Sequence, residues 1–213
     1  MDTYTQLPLH LDPQSKTISL HPASTTPTTL APPLQKELLA LNTLHKTMQR
    51  EIENTAKIPP PPMPLNPKRS AAISKLRQNA NTALQKHNIP ESLQLYNLAL
   101  STAERRPPWE PGVVQREELA VLYANRAQAH MSEKGWAEAY VDAMASVECK
   151  AVGNPKAWWR GGKALVEMGR WNEARDWVQG GVQRERGVKG SEEGLKELVE
   201  LEREIERKVG GGR

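Results

Sequence analysis

Phenylalanine is absent from the 213 residues, and cysteine occurs once, at Cys149. A single cysteine cannot close an internal disulfide, which excludes a disulfide-framed secreted module and fits a reducing compartment. No apolar run approaches the roughly 18 residues that a membrane span needs, and the opening "MDTYTQLPLHLD" has neither the basic start nor the apolar core of a signal peptide. The histidines (His10, His21, His45, His87 and His130) are scattered, with no pair at metal-ligand spacing, and Cys149 has no CxxC partner. Neither a phosphate-binding glycine loop nor a GxSxG elbow is found. In "GRWNEARDW", Glu173 and Asp176 read more simply as surface charges than as an acid–base pair. No catalytic constellation, metal or cofactor is therefore expected, and the chain reads as a non-enzyme.

The charge excess is small and unevenly placed. Through Asn66 there are five Lys/Arg against five Asp/Glu, so the whole net charge of +4 lies beyond that point. This is far below the density of a nucleic-acid-binding arm. The third basic, Trp-bearing segment could be offered as an RNA surface, but Trp136, Trp171 and Trp177 fall at core-like positions rather than on exposed stacking platforms. Nucleic acid is not an expected partner.

Three regions follow one another. In residues 1–57, "TYTQLPLHL" and "KTISLH" flank "DPQS", whose Asp-Pro favours a turn, which predicts extended strands within 3–21. Helical spacing of Leu34, Leu38, Leu41, Leu44 and Met48 predicts a helix over 34–55. A two-stranded hairpin is marginal alone, so these strands call for a partner. The residues by themselves leave open a disordered arm carrying one helix. "IPPPPMPLNP" then reads as a stiff polyproline linker, placed at 58–69.

From Ser70 to the end the pattern is helical. Segments end near "KHN", "SEKG" and "EMGR", each followed by a large residue and a small one three positions on: Ile89 with Ser92, Trp136 with Ala139, Trp171 with Ala174. Trp136 and Trp171 are 35 residues apart, close to a 34-residue period. "NTALQKHNIPESLQLYNLAL", "LYANRAQAHMSEKGWAEAYVDAM" and "AWWRGGKALVEMGRWNEARDWV" resemble three tetratricopeptide (TPR) repeats. Ala80, Ala127 and Gly162 stand where the two helices of a repeat pack closely. "SEEGLKELVELEREIERKV", amphipathic through Leu195, Leu198, Leu201 and Ile205, fits the helix that caps a repeat stack. Two departures are an insertion of about 13 residues around 107–119 and a missing proline after the second repeat. The expected fold over 70–213 is all-α: three TPR hairpins in a right-handed superhelix with a C-terminal capping helix, preceded by the extended and single-helix N-terminal region.

A TPR stack lines its groove with the first helix of each repeat. There stand Arg77 and Asn81, then Asn125, then Lys156 and Arg160. This order resembles the dicarboxylate clamp of chaperone-binding TPR domains, with Arg77 in place of the first lysine. A peptide ending in aspartate offers two carboxylates close together, and each charge-assisted bond to them is worth roughly 1.5–3 kcal/mol. Asn81 and Asn125 can donate and accept without adding charge. Lys156 and Arg160, one turn apart, repel by a few tenths of a kcal/mol unless an anion lies between them. Leu84 and Gln128 are candidates for a secondary peptide contact, while Trp158 and Trp159 are expected to pack against neighbouring repeats.

The whole arrangement is similar to the cytosolic TPR subunit of the fungal post-translational Sec translocation complex. That resemblance implies a chaperone-docking subunit on the cytosolic face of the ER. Its groove would bind the C-terminal EEVD tail of DnaK-class heat-shock chaperones, and residues 1–57 would hold a single-pass membrane subunit. The alternatives are a free cytosolic cochaperone bridging DnaK-class or ninety-kilodalton chaperones, and a TPR scaffold binding an internal peptide.

Overall fold

The computed structural model describes residues 9–14, 17–20, 32–51 and 67–210. The chain divides into two compact units, Met1–Pro61 and Pro62–Arg213. In the first, β1 (Leu9–Leu11) pairs antiparallel with β2 (Ile18–Leu20), with Leu9 opposite Leu20, His10 opposite Ser19 and Leu11 opposite Ile18. The Asp-Pro turn forms as an Asx turn, Asp12 Oδ1 accepting from the Gln14 amide at 2.9 Å. Helix α1 (Pro32–Glu51) secures the strand through one side chain. Asn42 accepts from the Ile18 N–H at 2.7 Å and donates to the Ile18 carbonyl at 2.9 Å, satisfying both groups on the outer edge of β2. Leu38 and Met48 of the predicted stripe are half-buried, whereas Leu34, Leu41 and Leu44 are exposed. Residues 3–8, 15–16 and 21 of the predicted strand region, and 52–55 of the predicted helix, lie outside the described residues, as does 58–66 of the predicted linker.

The second unit opens with α2 (Pro67–Gln85), three residues earlier than the composition suggests. Proline is well suited to the first helical position, where its missing N–H is not needed, so Pro67 starts the helix instead of ending the linker. There follow α3 (Ile89–Glu104), α4 (Gly112–Ser132), α5 (Trp136–Cys149), α6 (Pro155–Glu167), α7 (Trp171–Glu185) and α8 (Glu192–Gly210). These are three TPR hairpins, α2–α3, α4–α5 and α6–α7, with α8 packed on α6 and α7. The first helices also touch in sequence, α2 to α4 and α4 to α6, and so form one continuous wall.

Small residues set the hairpin spacing. Ala80 and Ala127 are fully buried, and a Cβ on Gly162 would collide with Val178. In the first two hairpins a serine hydroxyl crosses the gap: Ser92 Oγ donates to the Ala80 carbonyl at 2.9 Å, and Ser146 Oγ to the Ala120 carbonyl at 2.6 Å. Asn88 caps α3, its Nδ2 donating to Glu91 Oε2 at 2.6 Å. The third hairpin is locked by two tryptophans. Trp158 lies over Gly181 of the opposite helix and Trp177 over Gly161, and a Cβ at either glycine would sit 2.8 Å from the ring above it. Both indoles are satisfied, Trp158 Nε1 by the Ala151 carbonyl at 3.0 Å and Trp177 Nε1 by the Trp158 carbonyl at 2.9 Å.

The insertion between the first two repeats lengthens α4 at its N-terminus and forms a loop pinned by Arg106. That guanidinium, 7% exposed, donates to Glu118 at 2.8 and 2.6 Å and to Ser70 Oγ at 2.7 Å, and pairs with Glu110. At the far end, Leu198, Leu201 and Ile205 of α8 are buried against the third hairpin, closing the stack.

Candidate functional site

Asn81 is held from below. The Tyr96 hydroxyl, on a fully buried ring of α3, donates to Asn81 Oδ1 in a short hydrogen bond. Asn125 Nδ2, from α4, approaches the same oxygen at 3.5 Å. With Oδ1 occupied by these donors, the group of Asn81 left for another molecule is its Nδ2 donor, which suits an anionic ligand. Tyr96 also reports the surrounding charge: burial raises its pKa, while Arg160 and Arg77 act in the opposite direction. Helices α2, α4 and α6 therefore bring Arg77, Asn81, Asn125 and Arg160 around one point on their shared wall.

Arg160 is fixed across the repeat boundary. Its Nη1 donates to the Ala124 carbonyl at 2.6 Å and its Nε to Gln128 Oε1 at 3.1 Å. Burial pushes its pKa down from the arginine value, with the charges of Tyr96 and Glu197 offsetting part of that shift. Such a guanidinium stays protonated in neutral water. Among the described residues no carboxylate lies within salt-bridge distance of it. A largely buried cation is normally paired, so the site presents charge for which the described residues supply no close carboxylate.

Lys156, one turn before Arg160, is exposed and makes no hydrogen bond or ion pair among the described residues. Both line a groove of about 750 Å³ between α4, α6 and α8, together with Gln128, Trp159 and Lys163. Of the two candidate secondary residues, Gln128 orients Arg160, and Leu84 packs against the core shared by α2, α3 and α4. The expectation that the adjacent tryptophans pack into the stack holds for both, since Trp159 is half-buried against the same core cluster as Trp158. Trp158 is buried in the third hairpin, and Trp159, next along the helix and so turned by about 100°, packs on that core with one side and lines the groove as well.

Sequence reasoning missed Tyr96, the Ala124 carbonyl and the wall that α8 contributes. Tyr96 has a retrospective signal: it lies four residues after Ser92, on the buried face of α3. Among the described residues no group of three or more His, Cys, Asp or Glu could hold a metal, and no helix is long and apolar enough to cross a membrane. Burial raises the Cys149 pKa, which makes its thiol a poor nucleophile.

No family model matches the chain. It is 37% identical over 127 residues to the ER protein translocation subcomplex subunit sec67 of Schizosaccharomyces pombe. That match covers 59% of this chain and 66% of the relative, just under two thirds of its length. A chain of the Sec complex from S. cerevisiae superposes with a TM-score of 0.60 at 21% identity, over 95% of this chain and 98% of that one. The first TPR domain of Spaghetti (RPAP3), solved with the HSP90 peptide SRMEEVD, superposes with a TM-score of 0.52 at 19% identity, over 66% of this chain and 95% of that domain. The chain has the tetratricopeptide-repeat fold and is similar in sequence to a subunit of ER protein translocation.

Proposed function

We propose that the TPR unit docks the C-terminal EEVD tail of a cytosolic DnaK-class chaperone and that the chain does so at the ER translocation complex, delivering precursor proteins for post-translational entry. The observation that carries the reading is Arg160: a fixed, largely buried cation without a carboxylate partner among the described residues, beside an Asn81 whose free group is a donor. A terminal aspartate brings two carboxylates to such a place. Arg77, Lys156 and Arg160 would take the charge, while Asn81 and Asn125 would hold the terminal carboxylate and the adjoining amide. An EEVD-ending peptide bound to a neighbour of the same fold supports the idea that this groove shape accommodates such a tail. The affinity expected of a clamp of this kind is micromolar, about −8 kcal/mol.

The N-terminal unit supplies the second half of the proposal. Leu39 is 68% exposed, Leu41 52%, Leu9 55% and Leu11 53%, a density of exposed leucine that a partner would cover. Residues 1–57 would hold a membrane-anchored Sec subunit and keep the TPR unit peripheral on the cytosolic face of the ER, linked by the stretch before Pro67 to the TPR unit that α2 opens.

Titration of a labelled EEVD peptide into the full chain tests the clamp. Wild type should bind at micromolar concentration, and amidating the peptide's C-terminus should abolish binding. Lys156→Ala should weaken binding at least tenfold, about 1.4 kcal/mol or more, without altering the melting temperature, since Lys156 is exposed and makes no bond among the described residues. Equal binding of amidated and free peptides would point to an internal-peptide scaffold. Deleting residues 1–61 should release the protein from the ER membrane fraction and leave peptide binding intact; retention in the soluble fraction with or without them would favour a free cochaperone.

A further inference from the structure

The groove does not end at Arg160. Gly194 packs on Pro155 and Leu201 approaches Gly162, so α8 runs alongside α6 in the same direction and forms the groove's other wall. Beyond Leu201 that wall carries Arg203 and Arg207, both exposed and one turn apart on the same face. This repeats the spacing of Lys156 and Arg160 on α6. The Arg207 Nε donates to the Arg203 carbonyl at 3.3 Å, and neither guanidinium lies within salt-bridge distance of a carboxylate among the described residues. A further hollow of about 600 Å³, lined by Arg203, Glu206 and Arg207, continues the groove.

The two arginine positions compete with local acids. Glu197, Glu200 and Glu204 stand on the same wall and Glu206 lines the adjoining hollow, so groove and hollow together hold five cations to four carboxylates; among the described residues Lys163 is paired with Glu167 at 2.9 Å. The register supplies a length. The level of Arg160 on α8 falls near residue 199, so Arg203 and Arg207 lie about 6–12 Å further on at the helical rise of about 1.5 Å. An extended peptide covers that distance in about two to four residues.

We propose that Arg203 and Arg207 form a second acid-reading pair, which takes the acidic side chains two to four places before the C-terminal aspartate. This inference rests on the clamp reading and adds a specificity determinant to it: the clamp demands a free C-terminus, and the α8 pair demands acidity upstream of it. The occupant is an acidic peptide tail with its free C-terminal carboxylate in the clamp.

The test compares two eight-residue peptides, one ending in EEVD and one in QQVD, by fluorescence anisotropy on the full chain, with amidated EEVD as the third probe. Wild type should bind EEVD about fivefold tighter than QQVD, the scale of a solvent-exposed charge contact. Arg203→Gln/Arg207→Gln should bind both peptides at the QQVD level, and amidation should still abolish binding. Wild type that does not separate the two peptides overturns the inference alone. So does a double variant that keeps the EEVD preference, or one that loses both peptides by the same factor, which would be a general field effect. Binding that ignores amidation, or no binding by any free-acid peptide, overturns the clamp reading and this inference with it.

Discussion

The first and third TPR hairpins reach the same shape with opposite materials. The first packs fully buried Ala80, Ala99 and Ala103 around one buried tyrosine, and its exit loop is held by an ionic knot at Arg106. The third shows no such knot among the described residues; it packs Trp158 and Trp177 reciprocally over glycines, with ring centroids 4.7 Å apart. Between them stands Arg160, which belongs to the third hairpin by sequence and bonds to the second by geometry. The fold thus tolerates wide variation in how a hairpin is held. The groove wall is less permissive, because its residues must project from three helices onto one point.

The largest effect should come from the ionic knot. Arg106→Ala leaves Glu110, itself 7% exposed, and Glu118 without the cation they share. Removing one partner of a buried pair costs about 3–5 kcal/mol, because the remaining charge is stranded. Denaturant unfolding of the TPR unit should show a loss of that size. A loss under about 1 kcal/mol would mean that water reaches the loop and that the two hairpins are not held by different chemistries after all.

Next comes the tryptophan–glycine interlock. Gly181→Ala adds a Cβ 2.8 Å from the buried Trp158 ring, closer than such contacts normally come. The ring is fixed by its bond to the Ala151 carbonyl and cannot slide away freely. Overpacking of this kind costs about 1–3 kcal/mol, more than the gain in helix propensity of roughly 1 kcal/mol. The expected net result is a modest fall in melting temperature with a shift in tryptophan emission. An unchanged melting temperature would show that the third hairpin is as adaptable as the first.

The contrast also decides what could be read from the sequence. The three repeats and the capping helix lie at periodic positions, because their spacing is imposed by helix geometry itself. The five proposed clamp residues follow from the same register, and of these Lys156 and Arg160 line the groove. Ala80, Ala127 and Gly162 declared the close-packing sites for the same reason. The Arg106 knot was illegible, since Ser70, Glu110 and Glu118 meet only after the insertion has folded back. Gly161 and Gly181 were passed over because either one alone is an ordinary mid-helix glycine; their meaning lies in the ring opposite. Asn42 is a similar case in the N-terminal unit, where a polar residue within a leucine stripe supplies both hydrogen bonds that the edge of β2 needs. Tyr96 was hidden by its own burial: a core tyrosine gives no sign, in sequence, of which neighbour its hydroxyl will hold.

The smallest prediction compares the turns that join the two helices of each hairpin. The third uses Gly169 at φ 74°, where glycine is at ease, while the first and second place His87 at φ 59° and Lys134 at φ 61° in the same left-handed region. A residue with a Cβ is strained there by about 1–2 kcal/mol, and glycine's extra freedom in the unfolded chain offsets part of any relief. Lys134→Gly should therefore stabilise the second hairpin by a few tenths of a kcal/mol to about 1 kcal/mol. Hydrogen exchange in α4 and α5 should slow accordingly while α6 and α7 stay unchanged. Slowing across all three hairpins would mean that the stack opens as one unit, and that the difference in their packing does not divide it.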